Sequence, residues 1–404
     1  MPFRVDSGSQ PPSPAAAGDP RAPAWLQERL AARGGAVPFR DYMAWALHDP
    51  EHGAYGAGRL RIGPRGDFAT SPSLGPAFAE LLVEQLADWL AALGDGPLAL
   101  VETGPGEGTL ALQLAQLLQR RWPDLAARCE LVLVEPSPGM AERQSRHLEG
   151  SPLPLRWCSF EELAGAPLRG VMLAHEVLDA LAVERIVWTG QRWCRQQVSL
   201  GGDGQLALSV GDPLEGWLQA QLAPLGLLPP PSGPPRPEGW CSELHPGLEP
   251  WLREAGRALE EGWLLVVDYA LEASRYYAPR RADGTLMAYR DQRACSDPLR
   301  DPGRWDLTAH LCLESLERAA VAAGWQPLGS CRQGQALLSL GLAGALHGLG
   351  VGQGGEQGLA ERLARREALL RLVDPAGLGD FRWLAMGIGR APGLPRFLQD
   401  PPPA

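Results

Sequence analysis

The chain contains no lysine; all 37 of its basic residues are arginine. That absence excludes a P-loop, whose lysine must reach the phosphates, and any route through a lysine Schiff base, pyridoxal phosphate chemistry included. A basic excess is missing as well. With 47 acidic residues against 37 basic ones the formal net charge is −10, which argues against a nucleic-acid groove as the main surface and suits a cationic partner. Cysteine is sparse: Cys129, Cys158, Cys194, Cys241, Cys295, Cys312 and Cys331 are scattered without a C-x-x-C pair. They read as reduced intracellular thiols rather than a disulfide frame or a zinc site, and no metal is expected. No apolar run is long enough to cross a bilayer and no signal-peptide pattern opens the chain, so the expectation is a soluble, cytoplasmic protein without membrane insertion.

What is present is a hydrophobic fraction of 45% over 404 residues, enough for one main domain with additions. The organising stretch is Leu98 to Thr109, LALVETGPGEGT. Its apolar run suits a strand covered on both faces, and the glycines after Glu102 can extend neither strand nor helix. Gly104, Gly106 and Gly108 can take positive φ and let a ligand approach the backbone, with Pro105 between them and Thr109 opening an amphipathic helix. A dinucleotide fingerprint needs G-x-G-x-x-G; here the glycines fall G-x-G-x-G, which favours S-adenosylmethionine over NAD. A second buried run, LVLVE, ends in Glu135, followed by Pro136 and Ser137. A carboxylate at that strand tip accepts hydrogen bonds from ribose hydroxyls, a role for an acceptor-only group.

Around this core the chain reads as helices over Ala24 to Arg33 and Phe39 to Leu47, then a long glycine-rich loop holding Tyr55, Ile62 and Phe68. His48 and His52 flank Pro50, which breaks the helix that would align them on a metal. Asp67, Thr70 and Ser71 stand before a helix over Leu74 to Leu93, where they either cap it or line the ligand site. After a helix capped by Ser137 and a short strand at Leu155 to Cys158, the run Val171 to Ala174 is a fourth strand; His175, Glu176 and Asp179 hang from its C-terminal end, where open α/β sheets collect ligands. Val183 to Val210 suggests antiparallel hairpins, Leu228 to Pro237 a surface spacer, and Trp263 to Val267 a fifth strand. A second insertion, Ala270 to His310, carries Asp306, Thr308 and His310, as a lid or as substrate contacts. Trp325 to Leu342 reads as two final strands, and a charged helix over Leu359 to Val373 precedes a Pro- and Gly-rich tail.

FRDYMAWALHDPEHGAYG, IGPRGDFATSP, VETGPGEGT, LVEPSP, HEVLDAL, VVDYA, DGTLMAYR, DPGRWDLTAH and RQGQALLSLG, in that order from Phe39 to Leu342, resemble the NDUFAF7/MidA family of class I S-adenosylmethionine-dependent methyltransferases. The resemblance implies an α/β, Rossmann-like sheet, mostly parallel, of seven strands with an antiparallel edge strand. It divides the chain into a disordered tail (1–24), a helical region (25–95) with a functional loop (50–73), a methyltransferase domain (96–345) with insertions at 183–262 and 270–310, and a C-terminal helix and tail (346–404). It implies S-adenosyl-L-methionine as cofactor, held by Glu102, Gly104, Pro105, Gly106, Gly108, Thr109, Glu135, Pro136, Ser137, His175 and Glu176, with Asp67, Thr70 and Ser71 as further candidates. It also implies a protein arginine as acceptor, symmetrically dimethylated in a subunit of a complex I-like respiratory assembly; no nucleic acid is involved, and a homodimer is allowed. A non-catalytic assembly chaperone and a small-molecule methyltransferase are the alternatives.

A guanidinium with a pKa near 13 costs on the order of 8 kcal/mol to deprotonate at pH 7, at about 1.36 kcal/mol per unit. Two carboxylates can instead grip it, aim one nitrogen and take the proton late. Glu176 and Asp179 are the candidates for that work, with Asp306 and His310 behind them. The chain departs from the family pattern at His175, where an asparagine is expected, at Leu311-Cys312-Leu313, where an acid is lost, and at Asp291-Gln292-Arg293, where a histidine is common.

Overall fold

The apolar run at Leu98 folds as strand β1 (Leu98–Thr103), with every residue buried. In the computed structural model, which describes residues 21–63, 66–228, 236–349, 356–389 and 393–401, this strand sits inside a seven-stranded sheet. The other members are β2 (Cys129–Val134), β3 (Leu155–Cys158), β4 (Leu168–His175), β5 (Leu259–Asp268), β6 (Gln326–Arg332) and β7 (Arg382–Ile388). Their spatial order is β6-β7-β5-β4-β1-β2-β3. Strands β1 to β5 run parallel where they pair, and β7 is antiparallel to both β5 and β6.

The period-two alternation of a strand divides each apolar run between two layers. Nine of the helices, labelled in chain order, are α1 (Ala24–Ala32), α2 (Phe39–His48), α3 (Ala77–Ala92), α4 (Thr109–Arg121), α5 (Pro138–His147), α6 (Leu248–Arg257), α7 (Leu313–Ala322), α8 (Gln333–Ser339) and α9 (Glu356–Leu372). Leu98, Leu100, Leu131, Leu133, Val171 and Leu173 pack with α3 and α4 on one face. Ala99, Val101, Val132, Val134, Met172 and Ala174 pack with α6 and α7 on the other. Both faces are therefore covered, which is why these strands read as unbroken apolar runs.

The mostly parallel α/β class is as expected, but two details differ. The antiparallel strand lies one place in from the edge, between β5 and β6. Trp325 to Leu342 gives one strand, β6, and then α8 rather than a second strand. The five-residue run QALLS carries too few apolar positions for periodicity to separate strand from helix. The partner strand β7 instead comes from the stretch expected to be a Pro- and Gly-rich tail, where Trp383, Leu384, Ala385 and Met386 are buried. The expected N-terminal tail (1–20), most of the proline spacer (229–235) and most of the glycine-rich linker (350–355) lie outside the described residues.

Val183 to Val210 does form antiparallel hairpins. Strands Glu184–Trp188, Trp193–Leu200 and Leu206–Pro213 join Cys241–Leu244 and Ala36–Pro38 in a separate sheet. The second insertion supplies a three-stranded sheet, Met287–Arg290, Arg293–Cys295 and Asp306–Thr308. The Ala309 N–H donates to the Asp179 carbonyl at 3.0 Å, so this small sheet is tied to the end of β4 and brings Asp306 there.

Candidate active site

The turn after β1 holds Gly104, Gly106 and Gly108 at φ of 56°, 57° and 81°, a region that costs an L side chain about 1–2 kcal/mol. At Gly106 space is short too, since a Cβ would lie 2.7 Å from Ile62 Cδ1. Gly108 precedes α4 without a side-chain cap; the Glu102 carboxylate takes the Ala111 N–H, one of the orphan donors of that helix end. Glu102 is 4% exposed, burial pushes its carboxyl up to about 8, and its Oε2 has no partner.

Glu135, at the end of β2, is pinned by two donors. Its Oε1 accepts the Ser137 N–H and its Oε2 the Gln144 Nε2, each at 2.9 Å. Gln144 also donates to the Gly106 carbonyl (2.9 Å) and accepts from Trp157 Nε1 (3.0 Å), so the glycine turn and the acid are locked to one another. A carboxylate offers about four acceptor directions, leaving Glu135 free to accept further hydroxyls.

These groups open onto a cavity of about 800 Å³, within the size range of small-molecule sites. Of the residues expected at the cofactor, Glu102, Gly104, Pro105, Gly106, Thr109, Glu135, Pro136, His175, Glu176 and Thr70 line it. Gly108, Ser137, Asp67 and Ser71 are not among its walls. Gly108 shapes the helix start, Ser137 caps α5 through the Met140 N–H (3.4 Å), and Ser71 accepts from Gln333 Nε2 (3.3 Å). Asp67 accepts the backbone N–H groups of Arg61 (2.9 Å) and Asp291 (3.2 Å), a clasp between the long loop and the second insertion. Thr70 does double duty, since it also closes a capping box with Ser73 at the 3-10 turn Ser71–Leu74, which takes the place of the first turn expected of the following helix.

Sequence reasoning missed several walls. Ser159, Phe160 and Glu161 follow β3, and Trp251, Glu254 and Arg257 come from α6; Phe160 and Trp251 meet edge to face at 5.6 Å. Nothing local in the α6 sequence marks which helix face a distant strand end will meet. His48, Tyr55, Ile62 and Phe68 also line the cavity, and for these the length of the loop and its aromatic content were the signal. His48 and His52 do not converge: His48 stacks on Tyr55 (6.0 Å) and His52 on Trp25 (5.0 Å). Among the described residues no cluster of His, Cys, Asp and Glu could hold a metal ion.

Beyond the glycine turn the chemistry concentrates at the end of β4. Glu176 adopts φ of 54°, uncommon for a residue with a bulky side chain. Its N–H donates to the Val267 carbonyl (2.9 Å), and its carboxylate receives the Ser71 N–H. The His175 and Glu176 side chains are 7% and 9% exposed, with Nδ1 and Oε1 3.5 Å apart. Burial lowers the His175 pKa to about 3, so this is a neutral imidazole beside an acid rather than an ion pair.

Burial, then Asp179, Asp268 and Asp306, hold the Glu176 carboxyl well above its ordinary value, and its Oε1 has no partner. Asp179 is pushed up to about 7 by burial. Leu178–Ala180 is only a three-residue 3-10 turn, so the two acids do not serve as a helix N-terminal charge pair. Asp268 accepts three backbone N–H groups, those of Leu178 (3.0 Å), Asp179 (3.2 Å) and Tyr269 (2.8 Å). Asp306 accepts a hydrogen bond from the Tyr55 hydroxyl while its Oδ1 is unpartnered. Of the four candidate catalytic residues, Glu176 alone lines the cavity; Asp179 and Asp306 lie buried behind it, electrostatically coupled to it. His310 stacks on Tyr269 (5.4 Å, 7°), donates its backbone N–H to Thr285 and is pushed down to about 4 by burial.

Residues 81–331 match the protein family described as S-adenosyl-L-methionine-dependent methyltransferase. Among characterised proteins, the chain is 28% identical over 385 residues to the Drosophila melanogaster protein named protein arginine methyltransferase NDUFAF7 homolog, mitochondrial, covering 87% of this chain and 82% of that one. It is 27% identical over 312 residues to the Danio rerio protein arginine methyltransferase NDUFAF7, covering 71% of this chain and 69% of that one. Among solved structures, a Burkholderia thailandensis protein bound to S-adenosyl-homocysteine superposes with a TM-score of 0.81 at 28% identity, covering 94% of each chain.

Proposed function

The chain belongs to the S-adenosyl-L-methionine-dependent methyltransferase family, S-adenosyl-L-methionine is its methyl donor, and we propose that the acceptor is an arginine side chain of a protein. The observation that carries this reading is Glu176, fixed in a left-handed backbone, lining the cavity, with one carboxylate oxygen unpartnered and three further acids around it. Such a wall suits a cation and disfavours an acidic or apolar acceptor. The names of the Drosophila and zebrafish relatives, both protein arginine methyltransferases, agree with it.

When bound, the cofactor offers a methyl group on a positively charged sulfur, open to in-line attack. The protein's contribution is alignment, which can supply roughly 7–11 kcal/mol of a two-reactant barrier. Glu102 and Glu135 are the residues that would hold the donor, Glu102 through its unpaired oxygen and Glu135 through its spare acceptor directions. Glu176 would take one N–H of the guanidinium by a charge-assisted hydrogen bond, aim the neighbouring nitrogen and accept the proton that transfer displaces. Asp179 and Asp306 stabilise the cation from behind. The family resemblance extends the proposal to symmetric dimethylation of a subunit of a complex I-like respiratory assembly.

The test is mass spectrometry of methylarginine in candidate subunits incubated with the purified protein and S-adenosylmethionine. Glu176→Gln is expected to keep S-adenosyl-homocysteine affinity within about threefold and to abolish transfer; full activity of that variant rejects the assignment.

A further inference from the structure

Three buried acids elsewhere in the fold are matched to arginines. Glu243 faces Arg185 at 4.0 Å, Glu184 faces Arg195 at 3.4 Å, and Asp49 is ion-paired with Arg29. The cluster at the end of β4 is treated differently. Among the described residues no arginine forms an ion pair with Glu176, Asp179, Asp268 or Asp306, and one oxygen each of Glu176 and Asp306 has no hydrogen-bond partner at all. Glu176, its side chain nine-tenths buried, is the one of the four that lines the cavity.

Several uncompensated negative charges in one dry site are far more costly than the same groups carrying protons. Among the described residues, the groups that face the cluster from the surrounding elements are neutral or acidic. From β4, His175 is neutral at any ordinary pH; from α2, loss of water contact holds His48 below the usual histidine value. From the loop after α2, Tyr55 gives Asp306 a hydrogen bond, while Asp67 adds a further negative charge facing it. Tyr289 faces Asp179 and Asp306 from the small sheet, and Tyr269 follows Asp268 on β5; both are neutral hydroxyls.

Resting on the arginine-acceptor reading above, we infer that this acid pocket holds protons while empty and releases at least one of them to solvent when a guanidinium enters. The cation replaces the proton as the compensating charge. The same exchange converts the site from an acid to a base: an empty pocket has no carboxylate ready to take a proton, and a filled one does. Because the four acids sense one another, the release belongs to the set rather than to one member. Burial raises all of them above the ordinary carboxylate range, Asp179 to about 7, and repulsion from neighbouring acids adds to it at Glu176, Asp268 and Asp306. Among the described residues, these acids do not converge as metal ligands do.

The experiment is isothermal titration calorimetry of methylguanidinium into the full-length protein saturated with S-adenosyl-homocysteine, at pH 7, in phosphate and in Tris. The expected result is a binding heat that differs between the two buffers in proportion to one or more protons released. The apparent affinity should also rise by about tenfold per pH unit between pH 6 and pH 8 for each proton displaced. Binding with the same heat in both buffers and a flat pH dependence overturns the inference and leaves the arginine reading standing. Absence of any binding, with S-adenosyl-homocysteine seated normally, overturns both.

Discussion

Glu135→Gln is the substitution that bears hardest on cofactor recognition, because it keeps size and shape and changes only what the side chain can accept. Glu135 takes one N–H on each oxygen, from Ser137 and from Gln144. A glutamine must turn an NH2 toward one of them. If it faces Ser137, the side-chain NH2 opposes a backbone N–H that cannot turn away. If it faces Gln144, that residue can escape only by flipping its own amide, and the flip would break its bonds to the Gly106 carbonyl and to Trp157. One donor is therefore stranded in either case, and the acceptor offered to the ribose hydroxyls loses its charge. Hydrogen bonds to a charged group are worth about 1.5–3 kcal/mol, so S-adenosyl-homocysteine should bind about 10- to 150-fold more weakly, at about 1.4 kcal/mol per tenfold. Calorimetry on both proteins measures this directly, with thermal melting to show that the variant is folded. A folded Glu135→Gln variant that binds within twofold of the parent, a difference of only about 0.4 kcal/mol, refutes the reasoning that places the nucleoside sugar at this acid.

Gly106→Ala should weaken S-adenosyl-homocysteine by about tenfold or more while the protein remains folded, since alanine is disfavoured at this φ by about 1–2 kcal/mol and its Cβ would meet Ile62 at 2.7 Å; calorimetry reads it. Trp383→Ala should lower stability by about 3–5 kcal/mol in denaturant unfolding, because Trp383 is fully buried on β7, between β5 and β6. Stability of the cofactor-free protein should fall as pH rises from about 6.5 to 8, above the range in which the buried neutral histidines His175 and His310 act with the opposite sign. Glu102 and Asp179, pushed up to about 8 and about 7, keep protons in the folded state that the unfolded chain, with pKa near 4, has already lost. Unfolding therefore releases protons, and each such group costs up to about 1.4 kcal/mol per pH unit across that window. Thermal melts against pH should show this slope, and Glu102→Gln should flatten its upper part.

The half of the site that was legible in the sequence is the half built from contiguous chain. Gly104, Gly106 and Glu102 belong to one turn, and Glu135 ends the next strand, so apolar runs and local spacing were enough to place them. Tyr55 and Trp251 were harder for a physical reason: each reaches the cavity from an element whose position is set by tertiary packing, and a helix such as α6 carries no mark of which strand end it will meet. The strand β7 was hidden for the same reason. Its seven residues lie between glycine- and proline-rich stretches and acquire strand character by pairing with β5 and β6, more than a hundred and about fifty residues back respectively.

Glu176 ties these observations together, because its backbone strain has identifiable restraints. A left-handed conformation at a non-glycine residue persists only where the surroundings over-determine it. Here the Glu176 N–H is held by the Val267 carbonyl, the carboxylate by the Ser71 N–H, and the following turn by Asp268, which takes the Leu178 and Asp179 N–H groups. Those restraints come from the end of β5 and from the turn before α3, so the strain is borne by elements outside β4. Asp268 thus spends its carboxylate on backbone donors, whereas Glu176 retains a free oxygen. Of two acids ending adjacent parallel strands, one fixes the turn and the other is left for the acceptor. An exchange of these roles would need the β4–β5 register to slip, and a shift of one residue would carry every core side chain of β4 to the opposite face.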